Sequence, residues 1–305
     1  MRGINPLLAY AGLVLIWSTT PLGIKWSAEG LGFAAALAGR SVIGLLLSWL
    51  LLRFHGGRLS FERGALRIYG SAVIGIFGAM MATYWSSRFI SSGMIAVLFG
   101  LSLIVTGFFA WLWLGEDFFR GHKIAGAVFG LIGLTVVFYH ELHLGADGWK
   151  GVLGMTLGVI FYSLSLVLVK RLSADYSSAM INTGGLLLSV PLMLGASFAM
   201  GESLNISAIP ARTLGAVLYL GVVGSFIGFL LYYRVLKEMS AGSAMLIPLI
   251  TPVLAMLLGH LLNAESLSPS VWAGALLIFS GLVLYQWPVI CAEFISKVLR
   301  WAVRR

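Results

Sequence analysis

The chain has 305 residues, of which 59% are hydrophobic and 10% charged, and its mean hydropathy is +0.97. A soluble protein carries about 25% charged residues, so this chain lacks the polar surface to cover a water-soluble particle and its solvent is lipid. The formal charge of +9 is explained without nucleic acid, because membrane proteins collect Lys and Arg in cytoplasmic loops. With one cysteine, Cys291, no internal disulfide forms, and neither a metal site nor a cofactor is expected.

A spanning helix needs roughly 17–25 mainly apolar residues, and ten such stretches follow one another along the chain. The first covers 7–25 and contains Pro21. It follows Met1-Arg2 as a signal peptide would, but it is long and lacks a small-x-small cleavage site, so it is read as a retained helix. The second, 33–52, carries Arg40 within the span. A polar stretch at 53–67 leaves room for a turn or a short interfacial helix. Stretches 66–85, 93–114 and 124–139 complete the first half; 152–169, 180–200, 214–233, 244–262 and 271–287 form the second. Pro191 interrupts the seventh and Pro248 and Pro252 the ninth. A proline frees a carbonyl one turn earlier and bends the helix, so Pro21, Pro248 and Pro252 are candidate hinges. After Pro288 the tail sets Phe294, Val298 and Trp301 at helical spacing, with Lys297, Arg300 and Arg304 on another face. It is a basic cytoplasmic tail, read either as an amphipathic helix on the inner leaflet or as a frayed end.

With the N-terminus inside, fifteen Lys and Arg fall on the inner side, and Lys25, Arg88, Lys150 and Arg212 on the outer. The positive-inside rule therefore puts both termini in the cytoplasm. The localisation expected is a cell inner (plasma) membrane crossed many times.

The stretch from Ile90 to Glu116 aligns without gaps to that from Met239 to Glu265. Ser91, Gly93, Leu112 and Glu116 recur as Ser240, Gly242, Leu261 and Glu265. Upstream, an aromatic residue followed eight positions later by a lysine occurs at Trp17/Lys25 and again at Tyr162/Lys170. A period of five helices is odd, so the second half enters the membrane from the opposite face. This inverted repeat is the architecture of many secondary transporters. The expected units are a first repeat at 1–141, an inverted second repeat at 142–289 and the tail at 290–305. Small-xxx-small pairs such as Gly126/Gly130 let helix backbones approach closely.

Particular segments carry a family resemblance across nearly the whole chain. They are WSTTP from Trp17, Arg40 in the second helix, WLGEDFFRGHKIAGAVFGLIGL from Trp113, and SAGSAMLIPLITPVLAMLLGHLLNAESLS from Ser240. The sequence resembles the drug/metabolite transporter (DMT) superfamily, in its ten-helix EamA type with two EamA-like halves. NAE at Asn263–Glu265 departs from the LGE seen at Leu114–Glu116. The resemblance implies an all-α membrane fold with a central cavity lined by helices 1–4 and 6–9, and helices 5 and 10 at the periphery. It also implies movement of amino acids, other metabolites or drugs, often outward.

No Walker A loop, HExxH, CxxC pair or nucleophile elbow occurs, so neither ATP hydrolysis nor other enzymatic activity is expected. Glu116 and Glu265 end helices 4 and 9, and each is expected to satisfy the start of the helix that follows it. Depth along the helices places Trp17, Thr20, Arg40, Ser102, Tyr162, Ser165, Ser225 and Thr251 near the midplane, where transporter sites commonly lie. Each has a structural alternative, since hydroxyls bond to carbonyls of their own helix and aromatic rings pack. Arg40 stays charged and has no carboxylate at similar depth. It is read either as a ligand for a substrate anion or as a cation held by carbonyls freed near the prolines. His260 is a candidate for proton coupling or a plain hydrogen-bonded histidine. Tyr84 and Tyr219 are candidate gates or members of an interfacial aromatic belt. The expected function is a secondary transporter, and an exporter, of an amino acid or similar amphiphilic metabolite. Its expected partners are that small molecule and the bilayer, with a second copy of the chain, as a homo-oligomer, a further candidate. The alternative is a membrane receptor or assembly subunit that binds without translocating.

Overall fold

A computed structural model describes residues 6–54, 56–118, 120–143, 147–172, 176–202, 209–228, 231, 247–265, 268–288 and 290–291. The tail expected to form an amphipathic helix lies almost entirely outside the described residues. Ten helices occupy the described chain: α1 Pro6–Ala28, α2 Phe33–Phe54, α3 Arg63–Ser86, α4 Ser92–Leu114, α5 Gly121–His143, α6 Gly148–Leu172, α7 Ser178–Ala199, α8 Ala211–Ile227, α9 Ile247–Asn263 and α10 Pro269–Tyr285. Five of them (α2, α3, α4, α6 and α7) are long and apolar enough to cross a membrane by themselves. Between α2 and α3 the described residues form turns and no helix.

Helix starts follow local chemistry. Ser91, Ser177 and Ser268 stand in extended backbone just before α4, α7 and α10, and each hydroxyl accepts from an N–H of the first turn. Serine at this position satisfies one of the donors a helix start leaves open. Large apolar side chains such as Leu8, Phe198, Leu261 and Leu276 point outward and are exposed. The first turns of α2, from Phe33 through Ala38, are buried on every side. A segment buried all round is central, so the start of α2 lies inside the bundle, while its later turns expose Leu46, Trp49 and Phe54.

The principal helix pairs recur when the two halves are exchanged. Helix α1 packs on α8 and α9, as α6 packs on α3 and α4, while α2 pairs with α7, α4 with α9 and α5 with α10. Both α3 and α8 open into π-turns, at Ile74–Ala79 and Leu220–Ile227. The α5–α10 pair is the closest. A Cβ at Gly126 would lie 2.5 Å from the Gly281 carbonyl oxygen, and one at Gly281 would lie 2.5 Å from that of Gly126. These glycines join two backbones, which is how small residues drive helix association in lipid.

The two acidic helix ends behave differently. Among the described residues, Glu265 serves a helix other than the one after it. Its carboxylate accepts from Ser92 N (3.1 Å), Ser92 Oγ (2.9 Å) and Gly93 N (3.3 Å), which caps α4 in the other half. Glu116 instead forms an exposed ion pair with Lys170 (2.7 Å). The close α4–α9 packing brings the end of one helix to the start of the other, which spacing along the chain does not reveal. Glu265→Ala should cost about 1–2 kcal/mol, the usual range for a lost cap. Glu116→Ala should cost at most about 1 kcal/mol, the range of a solvated ion pair. After α9 the chain turns through Ala264 at φ +49°, where Gly115 stands after α4 at φ +69°. A left-handed backbone costs a non-glycine residue roughly 1–2 kcal/mol, part of which glycine's greater freedom in the unfolded chain offsets. Ala264→Gly should therefore raise the melting temperature in detergent, whereas Glu265→Ala should lower it.

Candidate functional site

Arg40 is buried, with 8% of its surface exposed. It sits where both halves meet, on α2 and against α3 and α8. Glycine makes the approach possible: a Cβ at Gly44 would lie 3.3 Å from the Ser225 Cβ, and one at Gly221 only 2.8 Å from Ile43. With α2 and α8 this close, the guanidinium donates from Nη2 to Ser225 Oγ (2.9 Å) and from Nη1 to Tyr84 Oη (3.4 Å). Ser225 in turn donates to the Leu220 carbonyl (2.9 Å), five residues back. That is the spacing of a π-turn, so the widened turn of α8 sets the hydroxyl that Arg40 uses. Tyr84 is fully buried and also accepts from Ser27 Oγ (3.5 Å) on α1. Among the described residues no Asp or Glu pairs with Arg40; the ion pairs present lie at helix ends. The register that aligns Lys25 with Lys170 aligns Arg40 with Gly185, so this cation breaks the exchange symmetry.

The other residues singled out from the sequence divide between this layer and the surrounding scaffold. Thr20 donates to the Ile16 carbonyl (2.7 Å) and faces Gly224, whose Cβ would also lie 3.6 Å from Arg40 Nη2. Trp17 is half-buried, with Nε1 near Gly228. Ser165 donates to the Ser71 carbonyl (2.7 Å) and joins α6 to α3. The Ser102 carbonyl accepts from Ser163 (3.2 Å), joining α4 to α6. The Tyr162 ring stands 4.8 Å from that of Phe99, and Thr251 is half-buried on α9. Tyr219 shares a short hydrogen bond with Thr19, tying α8 to α1. His260 is exposed at the end of α9, its Nδ1 3.1 Å from the Glu265 carbonyl oxygen. Pro21 and Pro252 lie inside α1 and α9 and are buried, and Pro248 stands second in α9 as described. Among the described residues no group of three His, Cys, Asp or Glu gathers as a metal site would require.

Tyr84, read from the sequence as a candidate gate or a belt residue, stands beside Arg40. Sequence reasoning passed over Ser27, Thr19 and Glu202. The last accepts from Ala35 N (2.8 Å) and Ala34 N (3.5 Å) at the start of α2. The one available sign was the small residues on α1, α2 and α8 that let these groups approach.

A family model described as the EamA-like transporter family matches residues 5–139 and again 149–286. The chain is 29% identical over 297 residues to YedA of Escherichia coli K12, named an uncharacterized inner membrane transporter, with 93% of this chain and 91% of that one covered. It is 24% identical over 284 residues to the uncharacterized transporter YoaV of Bacillus subtilis, with 92% and 96% covered. A solved structure, titled only as a crystal structure of a protein, superposes with a TM-score of 0.65 at 21% identity. It covers 93% of this chain and 98% of its own.

Proposed function

We propose that this chain, which belongs to the EamA-like transporter family, exports a small amphiphilic metabolite of the amino-acid class by alternating access between its two halves. It is a multi-pass membrane transporter; the substrate class, the direction and the mechanism are the reading offered here. The observation that carries it is Arg40, a permanent cation held at the junction of the two halves by two hydroxyls. A guanidinium has five N–H donors in a planar fork, and a bidentate contact to a carboxylate suits that fork. Trp17, Thr20 and Ser225, each only half-buried, offer the aromatic and hydroxyl surface that an amphiphilic molecule needs. The inverted repeat supports alternation, because equivalent packings on both sides let the halves exchange roles.

Counterflow tests the proposal. Proteoliposomes preloaded with an unlabelled amino acid that stabilises the protein thermally should accumulate the labelled form, and empty vesicles should not. Binding without exchange would make the chain a receptor and defeat the proposal. We also place both termini in the cytoplasm of an inner membrane, as the charge distribution and the name of the E. coli relative support. A cysteine at Asp147 should react with an impermeant thiol reagent from outside intact cells, and one at Arg63 should not. The reverse pattern would invert the topology.

A further inference from the structure

A cavity of about 550 Å³ lies at the end of the bundle where α1 and α7 finish and α2 begins. Small-molecule sites commonly measure about 300–1,000 Å³. Two opposite charges line it, Arg88 and Glu202, and no ion pair joins them. The Arg88 guanidinium lies 5.5 Å from the ring centres of both Phe33 and Phe89 and has no acidic partner among the described residues. Aromatic faces hold a cation without consuming its hydrogen-bond donors.

Arg88 is exposed, whereas Glu202 is half-buried and held by hydrogen bonds. Its carboxylate rests on the first turn of α2 through Ala35 N and Ala34 N. Gly32 makes room for it: at φ +86°, a Cβ there would fall 2.3 Å from Glu202 Cδ. Each carboxylate oxygen has two lone pairs, so these bonds leave acceptor capacity for an ammonium. Trp85 and Phe33 add aromatic rings to the same lining. A cation resting on aromatic rings, a hydrogen-bonded carboxylate and apolar rings in one cavity of this size match an α-amino acid with an apolar side chain. A simple anion would leave Glu202 facing negative charge, and a simple amine would leave Arg88 facing positive charge.

We infer that this cavity is a second binding site, separate from the Arg40 layer, and that it holds the zwitterion of an apolar amino acid between Arg88 and Glu202. The inference does not depend on transport.

The test is protection from labelling in purified, nanodisc-embedded full-length protein carrying Cys291→Ser. Met200→Cys and, separately, Ala28→Cys place a reporter on the cavity wall. L-Phenylalanine should slow their modification by a methanethiosulfonate reagent. 3-Phenylpropionate, which lacks the ammonium, and phenethylamine, which lacks the carboxylate, should protect much less. Arg88→Gln should weaken protection about tenfold or more, as expected for loss of a charge-assisted bond. Arg40→Ala should leave protection intact, which separates this site from the transport reading. The inference fails if L-phenylalanine protects neither reporter in a protein that elutes as a folded species. It fails equally if 3-phenylpropionate protects as well, if Arg88→Gln changes nothing, or if Arg40→Ala removes protection. Protection that depends on Arg88, in a protein that fails counterflow, would uphold this site and overturn the transport reading alone.

Discussion

Gly281→Ala will unseat α10 from α5 and greatly reduce the yield of folded protein. The added methyl would sit 2.5 Å from the Gly126 carbonyl oxygen and 2.8 Å from Gly130 N. Both are backbone atoms, so no side chain can swing aside and the helices must part along their length. Overpacking a tight interface costs about 1–3 kcal/mol and sometimes more, against a total stability of about 5–15 kcal/mol. Gly133→Ala should act alike, because its Cβ would lie 2.6 Å from the Gly274 carbonyl oxygen. Gly195→Ala on α7 is the control: nothing lies within 4 Å of its would-be Cβ, and alanine is the better helix former by about 1 kcal/mol. Thermal unfolding in detergent, followed by the monodisperse fraction on size exclusion, reads all three. Equal melting temperatures for the Gly281 and Gly195 variants would refute the backbone contact.

Arg40→Ala should weaken saturable counterflow of a carboxylate-bearing substrate severely while the protein still purifies in folded form. Losing a hydrogen bond to a charged group costs about 1.5–3 kcal/mol, or roughly tenfold to a hundredfold or more in affinity. The fold should survive, since the hydroxyls of Ser225 and Tyr84 keep other partners in Leu220 and Ser27. Arg40→Lys keeps the charge but replaces a planar fork with a point charge; affinity should fall less than in the alanine variant and not return to wild type. Tyr84→Phe removes only a 3.4 Å contact and should have the smallest effect. A folded Arg40→Ala protein that transports with unchanged affinity would end the case for Arg40 as a substrate ligand.

Depth along each helix was legible in the sequence, but rotation about its axis was not. Long apolar runs mark where the chain crosses lipid, and the paired Ser, Gly, Leu and Glu positions around 90–116 and 239–265 reveal the repeat. Several of these helices are apolar on nearly every side, so no polar stripe tells which face turns inward. For that reason the sequence leaves Tyr84 open between gate and belt residue, and Ser165 between cavity and structural hydroxyl. The structure buries Tyr84 beside Arg40 and spends the Ser165 hydroxyl on the Ser71 carbonyl. Glu265 and Glu202 were misread or missed because each acts on a helix start more than a hundred and sixty residues away. Arg40 could be found because a charge at that depth is costly wherever it faces.

The caps donated across the halves also bear on how the protein is made. Helices α2 and α4 belong to the first half, yet their opening turns are closed by Glu202 and Glu265 from the second. A ribosome that has finished α5 has produced five inserted helices, two of which still lack their final acceptors. Water at the membrane surface can serve those N–H groups meanwhile, but the native hydrogen bonds must wait for residue 202 and then residue 265. Synthesis order therefore sets assembly order: the first half cannot complete its structure alone, and its last bonds close only when α9 has been made.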